Sequence, residues 1–177
     1  MQNTLLILAG IGNSGPEHWQ SRWQDELPSV DKLDHSEWDA PDRIVWEHEL
    51  EEKLAAMQRP VVLVAHSLAC LLVAHWAQQS TKKLVAAAFL VSVPNPNEPE
   101  FPAKAKNFKN LPMNPLPFPS LVVSSTNDPY ASAAFMQACA AAWGSRFQSV
   151  GPLGHINASS NLGSWEHGKS LLHLIEA

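Results

Sequence analysis

Short, unbroken apolar runs recur along this chain with helical patterns between them, and that alternation constrains the fold more than any other feature. Thr4–Ala9 (TLLILA), Pro60–Ala65 (PVVLVA), Val85–Val93 and Leu121–Ser125 (LVVSS) read as strands buried on both faces. Lys32–Ser36 and Phe147–Val150 read as shorter strands. Pro16–Leu27 places Trp19, Trp23 and Leu27 four residues apart on one helical stripe. Pro41–Met57 is acidic and amphipathic, with Ile44, Leu50, Leu54 and Met57 expected on one face and Glu47, Glu49, Glu51 and Glu52 on a solvated one. Leu68–Gln79, Tyr130–Trp143 and Trp165–Glu176 complete the helices. Strand–helix–strand alternation with apolar strands predicts a parallel sheet covered on both faces, joined by right-handed crossovers. The expected fold class is therefore a three-layer α/β domain. In such folds ligands bind beyond the carboxyl ends of the strands, so the residues just after each strand carry most of the functional information.

At 177 residues the chain suits one domain, 1–177. Apolar residues make up 45% of it and charged residues 16%, enough for a full core. Within that domain 94–119 breaks the rhythm. Pro94, Pro96, Pro99, Pro102, Pro112, Pro115, Pro117 and Pro119 are eight of the fourteen prolines. The stretch reads as a stiff connection or as a lid over the strand ends.

Four strand ends deliver informative residues. Ser67 lies in Ala65-His66-Ser67-Leu68-Ala69, directly after a strand and before a helix. That is the layout of a nucleophile elbow, G-x-S-x-G, with small alanines where glycines usually stand. Such a turn exposes the hydroxyl and points the next amide, that of Leu68, toward an oxyanion. The alternative is a serine that merely caps the helix. Asp128 follows the strand ending at Ser125, and His155 follows the one ending at Val150. Asp128 in N-D-P also suits an Asx turn, and His155 could be a simple loop histidine. All three at strand ends, in the order Ser67, Asp128, His155, match the chain order of an α/β-hydrolase triad. A serine hydroxyl needs a base, which His155 would supply, and Asp128 would orient the imidazole. Gly10 and Gly12 let the backbone of the first loop approach closely, and the Ile11 amide is the natural second oxyanion donor.

Gly10-x-Gly12-x-x-Gly15 also fits a dinucleotide fingerprint, with Asp31 and Asp34 near the acidic position that motif needs. Pro16 directly after the third glycine argues against it, and so does the Ser–Asp–His order. No HExxH or CxxC spacing occurs, and the histidines other than His155 form no ligand-spaced cluster, so neither a metal nor another cofactor is expected. Cys70 and Cys139 read as small core residues.

These blocks resemble the small single-domain serine hydrolases typified by retinoblastoma-binding protein nine and its bacterial relatives, within the α/β-hydrolase superfamily. The resemblance runs along nearly the whole chain. It rests on Gly15-Pro16-Glu17-His18-Trp19-Gln20-Ser21-Arg22-Trp23, on Val64-Ala65-His66-Ser67-Leu68-Ala69-Cys70, on Ser125-Thr126-Asn127-Asp128-Pro129-Tyr130, and on Gly154-His155-Ile156-Asn157 followed by Gly163-Ser164-Trp165. It implies a shortened parallel sheet of about six strands, triad roles for Ser67, Asp128 and His155, and hydrolysis of small carboxylic esters or amides. The retinoblastoma-pocket motif L-x-C-x-E is not carried over, because Leu72 stands where glutamate is required.

The expected activity is thus a serine hydrolase working through an acyl-enzyme. Two alternatives share the fold: a non-catalytic binding module, and an acyltransferase in which an alcohol or amine takes the acyl group. The expected partner is a small ester or amide. A net charge of −5 and a pI of about 5.9 argue against nucleic acid. No run reaches the roughly 20 apolar residues of a membrane span, and the start lacks signal-peptide character. Two cysteines suit a reducing compartment, so a cytoplasmic location is expected. The sequence leaves the oligomeric state open.

Overall fold

A computed structural model describes residues 3–79 and 84–175. Six strands form one sheet: β1 (Thr4–Leu8), β2 (Val30–Lys32), β3 (Val61–His66), β4 (Val85–Val91), β5 (Ser120–Ser124) and β6 (Arg146–Ser149). Their order is β2-β1-β3-β4-β5-β6 and every pair is parallel. The order reverses at β1, so the ends of β1 and β3 flank the topological switch point where α/β sheets open a crevice.

Side chains alternate along the strands and feed two cores. Leu6, Leu8 and Leu63 pack under α2 (Arg43–Ala56), α3 (Leu68–Ala77) and α4 (Ala133–Trp143). Leu5, Ile7, Val62, Val64 and Phe89 pack under α1 (Trp19–Glu26) and α5 (Glu166–Leu172). The second core is built around tryptophans. Trp19 lies 4.7 Å from Trp23 and 5.0 Å from Trp165, centroid to centroid.

α3 is buried on every side. A helix apolar all round needs a cover beyond the sheet. Part of that cover is the proline-rich stretch, which forms a 3-10 turn over Ala103–Phe108 and buries Phe101, Ala105, Phe108 and Leu116 in the same core. His75 on α3 donates from Nε2 to the Phe108 carbonyl at 3.0 Å, tying the two together.

Several boundaries differ from expectation. β2 spans Val30–Lys32, earlier than Lys32–Ser36, because the chain leaves the sheet after Leu33 and stacks His35 on Trp46 at 3.7 Å. α2 starts after Asp42, whose Oδ1 accepts from the amides of Ile44 and Val45. Ile44 is 58% exposed, and Trp46 takes its place beside Leu50 and Leu54. The glutamates of α2 are not one solvated face. Glu47 pairs with Arg43, Glu49 accepts from His35 and Ser36, and Glu51 accepts from the Trp76 indole. The expected end of the last helix at Glu176 lies outside the described residues.

Candidate active site

Ser67 is the hinge between β3 and α3, with φ 56° and ψ −126°. A non-glycine residue there is strained, at roughly 1–3 kcal/mol, and persists only where its surroundings fix it. Its amide donates to the Val91 carbonyl at 3.0 Å and its carbonyl accepts from the Cys70 amide at 2.9 Å. Ala65 and Ala69 on either side are fully buried, so the small size that the turn requires is met without glycine. The hydroxyl makes no capping bond to the helix, which removes the capping alternative. Instead it donates to His155 Nε2 at 2.8 Å.

His155 Nδ1 lies 2.9 Å from both carboxylate oxygens of Asp128. The Asp128 side chain is fully buried, and its Oδ1 also accepts from the Tyr130 amide at 3.0 Å. The Asx turn weighed above is therefore present as well, and it aims the carboxylate at the imidazole. The chain thus brings its three predicted residues into one line from hydroxyl to imidazole to carboxylate.

The two expected amide donors lie at the same place. Leu68 is the first residue of α3, so its N–H has no acceptor within the helix. Gly10 passes so close to the elbow that a Cβ on it would stand 3.1 Å from Ser67 Cβ and 3.2 Å from the His66 carbonyl. That approach brings Ile11 into the same cleft as Leu68, Ser67 and His155. The cleft measures about 370 Å³, and among the described residues no lysine, arginine, aspartate or glutamate lines it. Pro94, Phe101 and Pro102 of the proline-rich stretch form one wall.

Sequence reasoning missed three neighbours of the site. His18 and His66 stand in a row with His155: the rings of His18 and His66 are 4.8 Å apart and those of His66 and His155 are 4.9 Å apart. Burial, helped by the charges of His155 and Lys32, lowers the His18 pKa to about 4. Burial and the two flanking imidazoles push His66 well below its usual value. Both are thus neutral at pH 7. The His18 Nδ1 accepts from the Gln20 amide at 3.1 Å, capping α1, which leaves the proton on Nε2. Gln20 is the third omission. Fully buried, it donates from Nε2 to the carbonyls of Leu8 and Val64 at 3.1 and 3.0 Å, bridging the strands that deliver Ile11 and Ser67. No local pattern marks such a residue, since its partners lie on two distant strands.

The dinucleotide reading loses its structural requirements. α1 begins at Trp19, not at the third glycine, and its first-turn amide is taken by His18. Asp31 is paired with Lys53 at 2.8 Å. Burial raises the Cys70 thiol far above its usual pKa and the Cys139 thiol to about 12, as befits core residues. Among the described residues no three His, Cys, Asp or Glu side chains form a metal-binding group, and no helix is long and apolar enough to cross a membrane.

A parallel six-stranded sheet with helices on both faces, and a serine at a strained strand-to-helix turn facing a histidine on a later loop, define a three-layer α/β-hydrolase fold. The chain belongs to the serine hydrolase family, whose model matches residues 5–174. It is similar to a solved YdeN-like hydrolase of Pectobacterium atrosepticum, with 32% identity, a TM-score of 0.87, and coverage of 99% of this chain and 91% of that one. The ydeN gene product of B. subtilis shares the fold at 17% identity and TM-score 0.81, covering 98% of each chain. An esterase from Rhodococcus shares it at 14% identity and TM-score 0.71, covering 99% of this chain and 91% of that one. No curated protein matches. Membership of the serine hydrolase family makes the chain an enzyme of the hydrolase class.

Proposed function

We propose that this enzyme hydrolyses small, uncharged carboxylic esters or amides through an acyl-enzyme on Ser67. The observation that carries the proposal is the 2.8 Å contact between the Ser67 hydroxyl and His155 Nε2, at a serine whose backbone is strained to expose it. As Ser67 Oγ attacks the substrate carbonyl, its proton passes to His155 Nε2. Asp128 holds the other nitrogen protonated and stabilises the imidazolium. The amides of Leu68 and Ile11 face the developing oxyanion, and one such donor is worth about 10²–10³ in kcat. His155 gives its proton to the departing alcohol or amine, and the acyl group stays on Ser67. Water then attacks, His155 accepts its proton, and the carboxylic acid leaves as Ser67 is restored.

A cleft of about 370 Å³ with no charged side chain among the described residues that line it favours a short neutral acyl group. A carboxylate or phosphate on the substrate would be desolvated there with no opposite charge to meet it.

The test is labelling with a fluorophosphonate, together with hydrolysis of p-nitrophenyl acetate and butyrate, for the parent and for Ser67→Ala. Labelling at Ser67 with turnover in the parent only is the expected result. A folded parent that neither labels nor turns over would overturn the proposal in favour of a binding module. Acyl transfer to an added alcohol that outpaces hydrolysis would make the enzyme a transferase.

A further inference from the structure

His155 sits on an irregular loop, and its backbone is not at rest. Gly154 before it has φ 62° and Ile156 after it has φ 48°. For a β-branched residue that conformation is a genuine outlier, and it persists only where other contacts impose it. Two ring N–H groups supply such contacts at consecutive carbonyls. His66 Nε2 donates to the His155 carbonyl at 2.8 Å, and Trp19 Nε1 donates to the Ile156 carbonyl at 2.8 Å. Both donors are buried, His66 at 5% exposure and Trp19 at 1%. They come from different elements, the end of β3 and the start of α1. Trp23, one turn further along α1, donates to the Ser164 carbonyl at 2.7 Å, beyond the short turn that follows His155.

We propose that His66 and Trp19 are positioning residues that clamp the main chain on either side of Ile156 and so hold the His155 imidazole against Ser67. The proposal rests on the reading of His155 as general base. Without either N–H a buried carbonyl loses its partner and Ile156 is free to relax toward negative φ, swinging the neighbouring ring. A shift of about 1 Å at a reacting group costs on the order of 10²-fold in rate. His66 suits the task because it is neutral, so the clamp adds no second positive charge beside the imidazolium that forms on His155. The His18-Trp19-x-x-x-Trp23 spacing of the first loop and helix thereby acquires a meaning that packing alone does not give. The first tryptophan locks the histidine loop at its reactive end and the second locks it at its far end.

The test compares Trp19→Phe, which removes only the N–H and part of the ring, with Trp23→Phe, the matched loss at Ser164. It also compares His66→Gln, long enough to keep a donor near the carbonyl, with His66→Asn, which is too short. For each, kcat and KM on a p-nitrophenyl ester are measured with Tm. Trp19→Phe and His66→Asn should lose about 10- to 100-fold in kcat with KM within about twofold of the parent. Trp23→Phe should lower Tm while keeping kcat near the parent value, and His66→Gln should recover at least about tenfold over His66→Asn. If Trp19→Phe folds and keeps kcat within about twofold of Trp23→Phe, the clamp is refuted. If Trp19→Phe does not fold, the glutamine–asparagine pair decides, and equal kcat in the two refutes it. A parent that is inert toward esters and the fluorophosphonate sinks the hydrolase reading instead. The clamp is then read from amide hydrogen exchange of residues 153–157, faster in Trp19→Phe than in Trp23→Phe if it holds and equal if it does not.

Discussion

Acid should destabilise this protein through His18, and the size of the effect follows from its surroundings. His18 is buried, with 5% of its surface exposed, and its pKa falls from 6.5 to about 4. Between those values the folded protein binds fewer protons than the unfolded chain, so lowering the pH pulls the equilibrium toward unfolding. Well above pH 6.5 both states hold the ring neutral and the effect vanishes. As pH falls the loss grows, to about 2 kcal/mol at pH 5 and about 3 kcal/mol at pH 4, where the folded-state histidine begins to charge as well. That is a large part of the roughly 5–15 kcal/mol that stabilises an ordinary domain. His66, His35 and His75 are lowered too and act with the same sign, so the parent curve alone does not isolate His18. His18→Asn does, because asparagine keeps a side-chain oxygen for the Gln20 amide at the helix cap but does not titrate. Urea unfolding of both proteins at pH 7, 6, 5 and 4 gives the comparison. The variant should lose some packing energy at every pH, yet its stability should fall by about 3 kcal/mol less than the parent's between pH 7 and pH 4. Parallel curves would refute the reasoning and mean that His18 charges in the folded state at little cost.

Two further substitutions probe the site and the core. Asp128→Asn should leave Tm nearly unchanged and lower kcat for ester hydrolysis by about 10³–10⁴-fold, because the amide no longer fixes the imidazole tautomer or balances its charge; a drop below tenfold would remove Asp128 from the mechanism. Gly168→Ala should destabilise by about 1–3 kcal/mol or more, read as a lower urea midpoint, since the added Cβ would lie 2.2 Å from the Trp165 ring. An unchanged midpoint would mean that the Trp165 indole moves aside freely.

The sequence by itself determined the parallel sheet and pointed to the candidate site. Runs such as TLLILA and PVVLVA are apolar on both faces of the pleat, and only a sheet covered on both sides hides them. Once the strands are placed, the residues after them fall at one edge, and Ser67, Asp128 and His155 follow from chemistry and order. Short polar elements were less legible. Val30–Lys32 lies at the sheet edge, where one neighbour and little burial leave the pattern weak. Glu49 and Glu51 looked solvated because His35 and Ser36, which donate to Glu49, lie on the β2–α2 connection and Trp76, which donates to Glu51, lies on α3.

Tertiary structure alone decided how the site is held. His66 and His155 are 89 residues apart in sequence, and Trp19 and Ile156 are 137 apart. No periodicity records that an indole on the first helix serves a carbonyl on the last loop. The same holds for His18, whose charge state depends on what buries it, and for Gln20, whose partners are two strand ends. Local sequence sets which residues can react, because reactivity belongs to side-chain type and to the turn that presents it. Distances, protonation and strain belong to long-range contacts, and these exist only once the sheet has brought distant segments together.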